Sequence, residues 1–185
     1  MQFLLIRVCA AFFLMGVMPW SLAHGQFSAG QTPCDYFTKA DAEALFQRTV
    51  NDPILKAVSA PAGQSCRYTF SHAGDSGYGV AIRISTTSEI AREGIFSSVK
   101  ERMDRQKKTL SERSDAFKDL AGLGEDAFWN GTDLWMSQAD MLIIVTVHPV
   151  LEGSFPDMNA AHEAKSEQAL TLSKQVALAI LDRLP

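Results

Sequence analysis

Residues 126–147 read DAFWNGTDLWMSQADMLIIVTV, and the reading of this stretch decides the fold. Asn130-Gly131 separates Asp126–Trp129 from Thr132–Met136, and the tolerance of this dipeptide for positive φ suits a type I′ hairpin. Gln138-Ala139-Asp140 makes a second turn into Met141–Val147, whose unbroken apolarity fits a strand covered on both faces. The stretch predicts a three-strand antiparallel meander with its third strand central.

Working outward, Val80, Ile82 and Ile84 alternate with Ala81, Arg83 and Ser85, which predicts a strand with one wet side. Cys66-Arg67-Tyr68-Thr69-Phe70 is rich in strand formers, Ile54–Val58 reads as a further strand, and 73–77 reads as a loop. Ser88 is expected to cap a long helix running to about Lys108. Ile95, Phe96, Val99, Met103 and Leu110 gather on one stripe of it, opposite Lys100, Glu101, Asp104 and Lys108. Thr38-Lys39-Ala40-Asp41 approximates a capping box for a short helix over 39–48. Asp157 can cap a final helix in which Ala169, Leu172, Val176 and Ile180 recur at spacings of three and four. The order predicts an α+β fold: a mainly antiparallel sheet of five to six strands with helices packed on it and one disulfide.

The 185 residues are 46% hydrophobic, 21% charged and 9% aromatic, a balance that excludes a disordered tail, a collagen-like repeat and a polytopic membrane protein. With 17 Lys+Arg against 21 Asp+Glu, the net charge of −4 argues against nucleic acid as a partner.

The first acidic residue is Asp35. Ahead of it, Arg7 and the amino terminus form a weak positive region, Val8–Trp20 is apolar, and Ser21-Leu22-Ala23 offers small residues for a signal peptidase. A cleaved export signal over 1–23 is the expectation. A membrane span would need about 20 apolar residues, and Arg7 interrupts this one. No cysteine stands directly after the cleavage point for lipidation, since Ser21–Gln26 contains none, so no stable anchor is expected after cleavage, and a periplasmic or secreted product is the expectation. Removing Arg7 with the signal leaves 162 residues and moves the charge from −4 to −5. Residues 24–33 are too poor in apolar side chains to bury surface and read as a flexible leader, ahead of one globular domain over 34–185. Cys9 leaves with the signal. Cys34 and Cys66 remain as an even pair in an oxidising compartment and are expected to be bonded. The loop of about 33 residues that they close removes roughly 3.5 kcal/mol of unfolded-state entropy. A redox or metal pair would instead want C-x-x-C spacing or clustered histidines.

Four marks line up along residues 33–184: Pro33-Cys34 followed by Tyr36-Phe37-Thr38; Cys66-Arg67-Tyr68; Gly122-Leu123-Gly124-Glu125-Asp126-Ala127-Phe128-Trp129; and a strand pair before a helix ending Ile180-Leu181-Asp182-Arg183-Leu184. Together they resemble a group of small exported bacterial proteins and lipoproteins of unknown function. The resemblance implies an exported α+β domain similar to the PsbP-like sandwich, and brings no catalytic residues with it. The chain departs from the lipoprotein members in having no lipidated cysteine.

No group of residues commits the chain to a reaction. Ser97-Ser98-Val99-Lys100 matches S-x-x-K without the S-D-N and K-T-G partners that nucleophile needs. His72, His148 and His162 are too far apart in sequence for a metal motif, so neither metal nor cofactor is expected. Lys100, Arg102, Arg105, Lys107 and Lys108 read as the solvated face of a helix. Trp129 and Trp135, on adjacent strands of the hairpin, are the candidate ligand-binding residues. The leading expectation is a non-catalytic exported domain that binds an envelope partner or a small ligand. A small hydrolase using His72, Asp75 and Ser76 is the rival. The third reading is an assembly factor that recognises an envelope protein by a sheet edge or by the aromatic hairpin.

Overall fold

A computed structural model of the chain describes residues 30–184. The expected signal over 1–23 and the leader residues 24–29 lie outside the described residues. In chain order the elements are α1 (Pro33–Tyr36), α2 (Lys39–Phe46), β1 (Ile54–Ser59), β2 (Ala62–His72), β3 (Asp75–Thr86), α3 (Thr87–Arg92), α4 (Val99–Ser111), β4 (Lys118–Asp119), β5 (Asp126–Trp129), β6 (Asp133–Gln138), β7 (Met141–His148) and α5 (Met158–Leu181). Among the described residues, seven strands form one sheet in the order β1-β2-β3-β7-β6-β5-β4, antiparallel throughout. The architecture is α+β as expected, with seven strands rather than five to six. The strand not foreseen is β4, whose two charged residues carry no periodicity to read.

The central place of β7 explains its apolarity. Met141, Ile143, Val145 and Val147 point to the face covered by α1, α2 and α5, while Leu142 and Ile144 point to the face covered by α3 and α4. A strand covered on both sides has no wet positions to alternate with. On the first face α5 buries Ala169, Leu170, Val176, Ala177 and Ile180, and the Asp157 carboxylate caps it by accepting from the Ala160 N–H at 2.8 Å. On the second, Val99 and Met103 of α4 and Ile90 of α3 pack over Phe128, Trp135, Leu142 and Ile144.

Two local expectations are corrected. The long helix is two helices, because Gly94 (φ 73°) leaves helical geometry and the chain restarts only where Ser98 caps α4, accepting from the Glu101 N–H at 3.1 Å. Thr86 rather than Ser88 caps α3, and Ile95, placed on the buried stripe by an unbroken period, is exposed in the connection. The Asn130-Gly131 turn is not type I′. The Asn130 side chain accepts from the N–H groups of Thr132 (2.8 Å) and Asp133 (2.6 Å), an Asx turn in which Gly131 alone has positive φ, at 101°. The two positive φ values that a type I′ turn requires occur instead at Ala73-Gly74 (51° and 85°) and Ala139-Asp140 (47° and 67°). These join β2 to β3 and β6 to β7.

The N-terminal helices are fastened at several points. Cys34 and Cys66 are disulfide-bonded, with their Cα atoms 5.3 Å apart. The Tyr68 hydroxyl donates to the Phe37 carbonyl at 2.8 Å. Arg183, just past α5, donates to the Tyr36 carbonyl (2.8 Å) and to both carboxylate oxygens of Asp41 (2.7 and 2.8 Å). Asp41 is also the far member of the Thr38 capping box, as the sequence predicted. Order reaches back into the expected leader, where the Asp35 carboxylate accepts from the Thr32 N–H at 2.7 Å and Pro33 opens α1.

The Arg183 guanidinium, aided by Thr38, holds the Asp41 carboxyl down at about 2. A carboxylate whose pKa is lower in the folded state stabilises the fold above its unfolded value and loses that contribution as pH falls through the folded one. Between about pH 4 and pH 2 this pair should therefore lose about 1 to 2 kcal/mol, a figure reduced for the exposure of Arg183. Urea unfolding at steps across that range is expected to fall more steeply for the native sequence than for Arg183→Gln. Parallel curves would refute the assignment.

Candidate functional site

The hairpin register separates the two tryptophans. Phe128 lies opposite Trp135, and Trp129 opposite Leu134. Trp135 stacks on Phe128, with ring centroids 5.7 Å apart, and is 8% exposed beneath α4. Trp129 is 1% exposed on the α5 side. The expectation that they face one ligand is corrected: they point to opposite sides of the sheet and share no wall. Parity is the reason, since a hairpin with an even number of residues between paired positions sends two odd-numbered positions on its two arms to opposite faces. The cleft beside Trp129, about 480 Å³, is bordered by Asp115, Lys118, Glu163 and Glu167 as well as by Ala116 and Trp129, and the Ser166 hydroxyl in its wall donates to the Gly131 carbonyl at 3.2 Å.

His72, Asp75 and Ser76 lie together on the β2–β3 hairpin, where His72 and Asp75 flank the Ala73-Gly74 turn. Their contacts lead elsewhere. Asp75 accepts from the Gly77 N–H at 3.0 Å, and His72 Nδ1 lies 3.1 Å from Arg48 Nη1. A guanidinium only donates, so Nδ1 must be the acceptor and the ring proton sits on Nε2. Among the described residues no side-chain hydrogen bond joins His72 to either Asp75 or Ser76. The imidazole lone pair that a general base would use is occupied.

Arg48 itself opens the better candidate. Its side chain leaves the left-handed Gln47 turn that ends α2, and its guanidinium carbon lies 4.9 Å over the Phe70 ring. Phe70 packs on Phe46 (centroids 4.8 Å) and stacks on Tyr78 (5.8 Å). Between this cluster, α5 and the loop after β7 lies a cleft of about 430 Å³, walled by Leu45, Phe46, Phe70, Val150 and Leu172, with Arg48, Glu152 and Gln168 among its polar groups. Among the described residues no carboxylate approaches within ion-pairing distance of Arg48. Four of the five basic residues of α4 are different: Lys100 pairs with Asp104, Arg102 with Glu93, Arg105 with Glu101, and Lys107 with Asp119 and Asp126.

The Arg48 cleft escapes sequence reasoning because it joins three segments far apart in the chain. Its one local signal is Val150-Leu151, an apolar pair in a loop bracketed by Pro149 and Pro156. The S-x-x-K residues serve the start of α4, where Ser97 donates to Glu101 at 2.7 Å. His148 ends β7 and His162 lies on α5, and among the described residues no group of three or more His, Cys, Asp or Glu is placed to hold a metal ion. No helix of the described residues is long and apolar enough to cross a membrane. The fold defines the class, a helix-covered antiparallel α+β sheet. No family model, curated protein or solved structure matches the chain.

Proposed function

We propose that the chain is an exported, non-catalytic domain that binds, in the Arg48 cleft, a small molecule with an apolar body and one anionic group. The observation that carries this reading is a guanidinium with no carboxylate partner, set into a mainly polar cleft of ligand size that also presents Phe46, Val150 and Leu172. A carboxylate or phosphate entering there gains charge-assisted hydrogen bonds from Arg48, and its apolar body lies against Phe46, Val150 and Leu172. Occupation of the His72 lone pair supports binding rather than catalysis. Export is supported by the signal-like segment over 1–23, by the Cys34–Cys66 bond and by the resemblance to small exported bacterial proteins.

The probe is 1-anilinonaphthalene-8-sulfonate, a fused apolar ring system carrying one sulfonate. Fluorescence titration is expected to saturate at one site, and Arg48→Met, which keeps the apolar stem, should weaken binding about tenfold or more. Equal affinity for the two proteins would overturn the cleft assignment. The mass of the native product tests export separately: a chain beginning at His24 is expected, and retention of Met1 would refute it.

A further inference from the structure

On the side of the sheet away from the Arg48 cleft, helix cover is incomplete. α3 and α4 pack over β5, β6 and β7 and reach β2 and β3 at one end, where Glu93 accepts from the Ala62 N–H. Beyond them the register sets out open rows of directly opposed residues. One runs Lys56, Ser65, Arg83, and the next runs Ile54, Arg67, Ala81, Thr146. Lys56, Arg67 and Arg83 therefore stand on one face of three neighbouring strands, the first two exposed and the third half-buried. Among the described residues none of the three has a carboxylate within ion-pairing distance. Arg83 Nη1 reaches the Ala60 carbonyl at 3.4 Å, and its buried Nε has no partner. A chain of net charge −4 that pairs four cations along α4 leaves these three together and unmatched.

The two edges of the sheet also differ. One ends in β4, two charged residues, of which Asp119 is held by Lys107 at 2.7 Å. The other is β1, six residues long, with Ile54 and Leu55 still 45% and 46% exposed. A lysine at the middle of an edge strand can act as a guard against pairing, but it does so by repelling cations and apolar strands, not acidic ones.

We propose that the outer edge of β1 accepts an extended segment of an acidic partner protein, which adds a strand to the sheet and lays its carboxylates over Lys56 and Arg67. The pleat specifies the partner's pattern. Alternate side chains of an added strand, about 4.8 Å beyond β1, fall on the face of Lys56 and are acidic; those between fall beside Leu55 and Ala57 and are apolar. The partner is thus an alternating acidic and apolar segment of about six residues. This surface and the Arg48 cleft lie on opposite sides of the sheet, so either reading can fail without the other.

The probe is a capped hexapeptide of alternating glutamate and valine, with a lysine and valine hexapeptide as its control, added to the isotope-labelled mature chain. The expected result is slowed amide hydrogen exchange and shifted resonances within β1, with at least about tenfold preference for the glutamate peptide. Lys56→Glu with Arg67→Glu, both at exposed positions, should reverse that preference. Absence of protection in β1 at about 1 mM peptide, or equal binding of both peptides, overturns the proposal. So does protection of β1 that grows with protein concentration alone, which would make a second copy the occupant. Capture by anionic phospholipid vesicles without β1 protection overturns it as well, in favour of a lipid surface.

Discussion

Replacing Cys34 and Cys66 together by alanine is expected to cost the fold about 3 to 4 kcal/mol, most of it through the unfolded chain. The bond closes a loop that contains all of α2 and β1, and opening it restores the conformational freedom that closure removes. Cys66 is also fully buried beside Tyr68, so truncation adds a small packing loss. Urea unfolding of both proteins, with the oxidised state of the parent verified by thiol titration, measures the difference. A loss below about 1 kcal/mol would contradict the assignment of the bond as a main fastening of the N-terminal helices. Since the Arg48 cleft borrows a wall from α2, the variant should also bind the anilinonaphthalene probe more weakly.

Gly79→Ala should be at least as damaging, with an expected loss above about 3 kcal/mol or outright failure to fold. Gly79 lies opposite Thr69 on one side and His148 on the other, so it is held between two strands. Its φ is 144°, and an added Cβ would come within 2.0 Å of the Tyr68 carbonyl oxygen and 3.0 Å of the Thr69 Cα. Both neighbours are backbone and cannot turn aside as a side chain can. Relief would require β2 and β3 to separate, with loss of ladder hydrogen bonds and of the packing of Tyr68 and Val80. Gly74→Ala is the matched control. Its φ of 85° carries a conformational cost of about 1 kcal/mol, but nothing lies within 4 Å of the new carbon. Thermal melts that place the two variants within a degree or two of each other would sink the steric argument.

The features legible in the sequence were those set by one local cause. The run Met141–Val145, extended by Thr146 and Val147 and rich in β-branched residues, reads as a strand covered on both faces, and it lies at the sheet's centre. Thr38 with Asp41, and Asp157 before a periodic run, cap helices because a side-chain oxygen is in reach of a free N–H. Errors arose where two local rules competed. The period that carried Ile95 onto a buried stripe ran through Gly94, which ended the helix. At Asn130-Gly131 the side-chain amide took the backbone N–H groups and made an Asx turn, whereas Ala73-Gly74 and Ala139-Asp140, less obvious as dipeptides, adopted the positive φ values of a type I′ turn. Separation of Trp129 from Trp135 was available from parity alone. The Arg48 cleft and the open basic face were not available, because which distant segments meet, and which strands no helix covers, is decided by tertiary packing.

The strand order has a kinetic consequence. Every pairing in the sheet joins strands adjacent in the chain except β3 with β7, where Thr86 meets Met141 across the whole of α3, α4 and the other strands between. The two sides of that seam can each form as hairpins from short loops, while the seam itself must await the encounter of segments more than fifty positions apart. The slow step of folding should be the zipping of β3 onto β7, and changes at Ile82 or Val145 should retard it far more than equal losses in β1.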